Sequence, residues 1–309
     1  MPTNQTRIGP KLKQEDGLLV HETLLRVEPR VDLFIREKWL DSEDTQKAAL
    51  PVILLHGAGM DGAGFDVPVG DTSLADALAR QGSHTYAFDF RGHGRSSRAV
   101  DGREMDIESS VVDTVAVLDY VQEITGARQF ILVGVSYGSI ISSVIAERSP
   151  ERIAGIVLLG FIYKATATSL DESLQEAAQA PSGYAFTTEE EWPELFIPAA
   201  TPEVTAWHQA HFGTAYAYPV GPYLQVGGLP HAKHPERYHG HVLIVTGDLD
   251  PLASEPDVDA YLQDVGSPIE HKRHLRQHNV GHMPYVEAQA QEVQQAINQF
   301  IATINAAQQ

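Results

Sequence analysis

Ser136 lies in Gly134-Val135-Ser136-Tyr137-Gly138, a G-x-S-x-G run flanked by apolar segments. Such a run holds a nucleophile on a strained strand-to-helix turn, and its glycines leave room for neighbouring backbone to pass closely. The turn needs a strand before it and a helix after it. Phe130-Ile-Leu-Val133 is the predicted strand, and Tyr137 to about Arg148 the predicted helix, which stops at Ser149-Pro150. That helix would turn its positive end and unpaired amides toward Ser136, a setting suited to developing negative charge. The chemistry expected is attack by a hydroxyl, which needs a base within hydrogen-bonding reach.

Fourteen histidines could supply the base. His282, in Asn279-Val-Gly-His-Met-Pro-Tyr285, occupies a polar loop between the last predicted strand and the last predicted helix. Such a loop leaves the same sheet edge that carries Ser136. The base needs an acceptor to fix its tautomer, and Gly247-Asp248-Leu249-Asp250-Pro251, after another strand, offers two carboxylates. Geometry at this level leaves Asp248 and Asp250 open. An oxyanion needs a pair of donors: the amide of Tyr137 and that of Ala58, in the glycine-rich stretch His56-Gly-Ala-Gly-Met-Asp-Gly62, are the candidates. That stretch lacks the lysine of a phosphate loop, and no acidic ribose partner is obvious, so no nucleotide site is expected. Two histidine patches stand out, one with His231, His234, His239 and His241, the other with His271, His274, His278 and His282. Neither matches H-E-x-x-H, and the second begins on a predicted strand, where residues three apart point to opposite faces. No metal and no cofactor is expected.

The elements that must position these residues alternate along the chain. Val31–Trp39 reads as an early, partly solvent-facing strand, and Pro51–His56 as a short apolar strand buried on both faces. A short helix follows Ser73 as N-cap and stops before Gly82, and His84–Phe88 is the next strand. Ile107 to Thr125 carries Val111, Val115, Leu118 and Val121 at helical spacing and ends at Gly126; Ile153 to Leu159 is again a strand. From about 164 to 240 the rhythm stops, in a segment rich in proline, glycine and aromatic residues. It resumes with His241–Thr246, a strand near Ile269, and a final amphipathic helix carrying Val293, Ile297, Phe300 and Ile304. The pattern predicts a mostly parallel sheet covered by helices on both faces. It divides the chain into a core of residues 1–163 and 241–309 and a mostly helical cap insertion of residues 164–240. Trp192 and Trp207 of that insertion are candidate pocket residues.

With 22 Lys plus Arg against 41 Asp plus Glu, the net charge is −19, and such a surface repels nucleic-acid phosphate and anionic lipid. The chain has no cysteine, so disulfides, thiolate metal sites and a cysteine nucleophile are excluded. Its first residues lack the apolar core of a secretion signal, and no apolar run reaches the roughly 18 residues of a membrane helix. A cytoplasmic protein is expected, with no nucleic-acid or membrane partner; oligomeric state is not legible.

In LLHGAGMDG (54–62), DFRGHGRSS (89–97), GVSYGS (134–139), IVTGDLDPL (244–252) and VGHMPYVE (280–287), taken in that order, the chain resembles the α/β-hydrolase fold superfamily from about residue 25 onward. The resemblance implies that the terminal aspartate of the G-x-x-D stretch, Asp250, partners His282. It also implies that Asp89, Arg91 and Ser96 are architectural. Haloalkane dehalogenases and epoxide hydrolases resemble the chain but carry aspartate where Ser136 stands, and HGAG differs from the HGGG loop of some carboxylesterases. The expected activity is that of a serine hydrolase cleaving a small, largely apolar ester or lactone through an acyl-enzyme. Alternatives on the same triad are carbon–carbon hydrolysis of a diketone-type substrate and acyl transfer; a cofactor-free oxygenase is more remote. A ligand receptor without turnover would not require all three residues.

Overall fold

Four or more consecutive apolar residues, buried on both faces, recur through the chain and pair side by side. The computed structural model describes residues 5–7, 11–13, 17–41, 49–164, 179–186, 191–213, 216–226 and 231–308. Its strands, numbered along the chain, are β1 (Gln5–Arg7), β2 (Leu12–Lys13), β3 (Leu18–Glu28), β4 (Val31–Leu40), β5 (Val52–Leu55), β6 (Thr85–Phe88), β7 (Phe130–Val135) and β8 (Ile153–Leu159). They continue with β9 (Tyr184–Phe186), β10 (Ala217–Pro219), β11 (His241–Gly247) and β12 (Lys272–Gln277). The helices are α1 (Leu74–Arg80), α2 (Ile107–Thr125), α3 (Tyr137–Arg148), α4 (Glu191–Phe196), α5 (Pro202–Phe212), α6 (Gly221–Val226), α7 (Glu255–Asp264) and α8 (Ala290–Ala307).

Ten strands form one sheet in the order β1-β3-β4-β6-β5-β7-β8-β11-β12, with β2 paired to β3. β6, β5, β7, β8, β11 and β12 run parallel; β1 to β4 add an antiparallel flank. Alternate residues of each central strand feed two apolar layers. Ile53, Leu55, Phe130 and Leu132 pack toward α2, α3 and α7; Leu54, Ile131 and Val133 pack toward α1 and α8. This is the α/β-hydrolase fold, and its connections follow local signals. Ser73 Oγ accepts the Asp76 amide at 3.1 Å to start α1. Asp106 and Ser109 close a capping box on α2, and Gly126 ends that helix at φ 77°.

One expectation shifts, and one long strand was not anticipated. The last strand starts at Lys272, because Ile269–His271 form a short 3-10 turn after Pro268. The long β3 carried no clean alternation, since its burial alternates only over part of its length. Between β8 and β11 the described residues hold α4, α5, α6 and a small antiparallel sheet of β9 and β10. No helix among the described residues is long and apolar enough to cross a membrane.

Candidate active site

Because the central strands are parallel, the loops after β5, β7, β8, β11 and β12 leave at one edge of the sheet, and each brings a piece of the site. After β7 the chain turns directly into α3. Ser136, at that turn, has φ 53° and ψ −117°, a conformation that costs an L-residue of order 1–3 kcal/mol and persists only where the surroundings impose it. They do so by proximity: a methyl group on Gly134 would lie 2.2 Å from the Gly138 carbonyl oxygen, and one on Gly138 would lie 2.0 Å from that of Leu55. The Ser136 amide donates to Leu159 O at 2.9 Å, tying the turn to β8.

The loops after β11 and β12 meet beside it. His282 Nδ1 lies 2.9 and 2.8 Å from the two carboxylate oxygens of Asp250. Asp250 is itself fixed, with Oδ1 accepting the amides of Leu252 at 2.8 Å and Ala253 at 3.0 Å. Its side chain is fully shielded from solvent and that of His282 nearly so. Asp248 goes elsewhere: its oxygens accept the Asn279 amide at 2.6 Å and face His278 Nδ1 at 3.1 Å. The His278 contact, first, and the amides hold its carboxyl below the usual range. With Nδ1–H committed to Asp250, a neutral His282 presents a lone pair at Nε2. That atom is buried and has no hydrogen-bond partner. His282 and Ser136 line the same cavity, of about 50 Å³.

Ala58 and Tyr137, the expected oxyanion donors, line that cavity too. Tyr137 is the first residue of α3, so its amide has no intrahelical acceptor. The Ala58 amide is oriented indirectly. Phe90 N–H donates to His56 Nε2 at 3.0 Å, which leaves the His56 proton on Nδ1, 2.7 Å from Gly57 O. Burial and then His93 push the His56 pKa well down, so the ring stays neutral. A trans peptide is planar, so pinning Gly57 O aims the Ala58 N–H the opposite way. His93 holds the next peptide, with Nε2 2.8 Å from Ala58 O, and burial lowers its pKa to about 4.

The other cavity walls are Met60, Ile162, Phe196, Tyr223, Leu252 and Met283, mainly apolar. Trp207 is not brought to them: it stacks on His211 at 4.2 Å and packs beside Phe212 within α5. The Trp192 side chain lies outside the described residues. A larger groove of about 810 Å³, lined by Gln294, Asn298 and Asn305 among others, shares no residue with the cavity. The second histidine patch disperses. His271 stacks on His241 at 3.8 Å, His274 faces Thr246 Oγ1 at 2.8 Å, His278 meets Asp248 and His282 meets Asp250. Asp89 accepts the amides of Gly62 and Arg95, each at 2.8 Å, and Arg91 pairs with the buried Asp113.

Sequence reading missed several residues that shape this site. His56, at the end of a predicted strand, and His93, in DFRGHGRSS, carry no assigned role in the sequence reading. Gly160, after β8, has φ 55°, and a methyl there would sit 2.5 Å from His282 O and 2.8 Å from its Nδ1. A glycine directly after a buried strand was the available signal. Phe196 O accepts the His282 amide at 2.9 Å, and Glu287 accepts that of Gly281 at 2.9 Å. The first joins distant segments, which no local pattern shows; Glu287 is six residues from Gly281 but also accepts the Ala199 amide, 88 residues away.

The family model for the alpha/beta hydrolase fold matches residues 51–188. The chain is 31% identical over 117 residues to 2-hydroxymuconate semialdehyde hydrolase of Pseudomonas putida, a stretch covering 38% of each protein. It is 34% identical over 117 residues to epoxide hydrolase B of Mycobacterium tuberculosis strain H37Rv, covering 38% of this chain and 30% of that one. The matched stretches thus span about a third of these relatives' lengths. Among solved structures, esterase RhEst1 from Rhodococcus sp. ECU1013 superimposes with a TM-score of 0.68 at 20% identity, over 92% of this chain and 99% of that one. By sheet order and by the segment matched, this chain has the α/β-hydrolase fold.

Proposed function

We propose that the protein is a serine hydrolase that cleaves a small, largely apolar carboxylic ester or lactone through an acyl-enzyme. Ser136 attacks the carbonyl, His282 takes its proton through Nε2 and returns it to the leaving alkoxide, and Asp250 holds the imidazole in that tautomer. The amides of Ala58 and Tyr137 receive the oxyanion. Water, activated by the same histidine, then releases the acid. The observation that carries this reading is the buried, unpartnered Nε2 of an Asp250-bound His282, in one cavity with a strained Ser136. The apolar walls favour an uncharged acyl group. Serine at residue 136, rather than aspartate, speaks against an epoxide-opening carboxylate nucleophile. Residues 164–240 act as the cap that sets substrate size, since Phe196 and Tyr223 of that segment help to wall the cavity.

The test is fluorophosphonate labelling with mapping of the modified residue, followed by p-nitrophenyl esters of graded chain length and a set of lactones. Label on Ser136, and loss of turnover by several orders of magnitude in Ser136→Ala with an unchanged circular dichroism spectrum, is the expected result. Turnover by Ser136→Ala within about tenfold of wild type would end the assignment. The resemblance to 2-hydroxymuconate semialdehyde hydrolase supports a second reading, carbon–carbon cleavage on the same residues. A vinylogous diketone in the panel separates the two.

A further inference from the structure

Glu287 is a carboxylate 3% exposed, with no cationic partner among the described residues. Burying such a group is expensive unless its oxygens are satisfied. Here the partners are backbone amides from two separate segments: Gly281 N–H at 2.9 Å from both oxygens, and Ala199 N–H at 3.0 Å from Oε2. Gly281 immediately precedes His282. Ala199 lies three residues past the end of α4, whose last residue, Phe196, accepts the His282 amide through its carbonyl at 2.9 Å. The Phe196 ring stands 5.6 Å from the His282 ring. One side chain therefore fastens the histidine loop and a piece of the inserted segment to each other.

The rest of that loop is pinned residue by residue. The Asn279 amide goes to Asp248, and Val280 O accepts the Leu249 amide at 2.9 Å. These bonds tie the loop to the Asp250 turn on one side. Those through Glu287 and Phe196 O tie it to the inserted segment on the other. We infer that Glu287 is a positioning residue, which sets the orientation of His282 by locking residues 196–199 onto the histidine loop. Burial, and in smaller part the nearby Asp250, push its carboxyl above the ordinary glutamate range, while the backbone amides of Gly281, Ala199 and Met283 pull it back. The inference rests on the serine hydrolase reading of the site.

A glutamine keeps the size but must set its NH2 group against the Gly281 amide, which approaches both oxygens, so Glu287→Gln should weaken the hold on the histidine loop. Expected in the full-length variant are a ten- to hundredfold lower kcat on a p-nitrophenyl ester, KM within about threefold, and a parallel fall in the Ser136 labelling rate. The downfield proton resonance of the His282–Asp250 hydrogen bond should broaden or vanish. Val293→Ala in α8, a buried core residue that does not line the cavity, provides a comparison for lost packing alone; it should lower Tm but move neither kcat nor the resonance. Glu287→Asp keeps the charge but is one methylene short of spanning both segments. Its kcat should be intermediate, and it carries the test if the glutamine variant does not fold. Variants with kcat, labelling and resonance all like wild type, or altered only as much as in Val293→Ala, would overturn the inference. A wild type that never labels at Ser136 would instead overturn the hydrolase reading. The resonance, which needs no turnover, would still decide the role of Glu287.

Discussion

Both oxygens of Asp250 reach His282 Nδ1, whereas those of Asp248 hold His278 and the Asn279 amide. Two carboxylates two residues apart thus receive different tasks from the turn between them. Asp250→Asn places a neutral amide against His282 and no longer enforces the tautomer, so kcat should fall by about 10³–10⁴, by analogy with the same change in a serine protease. Asp248→Asn removes a loop fastening and should change kcat by less than about tenfold, because the loop keeps its other attachments. Steady-state kinetics of the pair check this, and a reversed ranking would make Asp248 the orienting acid. Gly160 makes a related demand. An alanine there meets both a left-handed φ and the His282 carbonyl. Gly160→Ala should therefore lose about 1–3 kcal/mol of stability and a larger share of kcat than of Tm. Thermal melts beside kinetics read this out, and an alanine variant equal to wild type in both would remove Gly160 from the site.

At the level of elements, the buried parallel strands and the elbow were the legible part, because a strand covered on both faces must be apolar throughout and a strand-to-helix turn must spare room for glycine. Ser136, His282 and both aspartates were placed by that logic, and the choice of Asp250 needed family resemblance until geometry set it beside His282. The edges were harder to read. Strand β12, Lys272–Gln277, is half exposed and polar, so its start was misplaced by three residues. Residues 164–240 lacked any period, and aromatic content alone could not tell a wall of the cavity from the segment's own packing. Trp207 shows the difference. Its stack with His211 and its contact with Phe212 place it within α5, so Trp207→Ala should cost about 1–3 kcal/mol, less than a fully buried tryptophan, and leave the preferred ester chain length alone. Leu252→Ala, at the cavity wall, should instead shift the preference toward longer acyl chains. A p-nitrophenyl ester series on both variants tests the contrast; a shift in Trp207→Ala alone would reverse the assignment.

For the molecule as a whole, the net charge of −19 makes the response to pH depend on which carboxyls stay protonated in the fold. Asp61 and Asp89 share a cavity of about 400 Å³, with Arg36, Arg95, Arg98, His211, Tyr216 and Ala217 around them. Burial raises both carboxyls, and Asp89, 3% exposed, is raised further by the charge of Asp61; Arg95 and the amides of Gly62 and Arg95 oppose this without reversing it. A carboxyl whose folded pKa lies above its unfolded value binds its proton more tightly in the fold. Its contribution to stability is fully present below the unfolded value, near pH 4, and is lost as pH rises through the raised folded value. This is the opposite of a salt-bridged aspartate. The Tm of the wild type should therefore decline from pH 5 toward pH 9 more steeply than that of Asp61→Asn, which keeps an acceptor for the Ala63 amide at 2.9 Å but removes the like charge beside Asp89. The two curves should differ in their total decline by at least about 2 °C, the scale on which a kcal/mol moves the Tm of a domain this large. The titrating groups away from Asp61 are common to both proteins, so the difference reports Asp61 with the groups it faces, Asp89, His211 and Tyr216. Parallel curves would mean that Asp61 and Asp89 are both ionised in the folded protein, held by the backbone amides and Arg95.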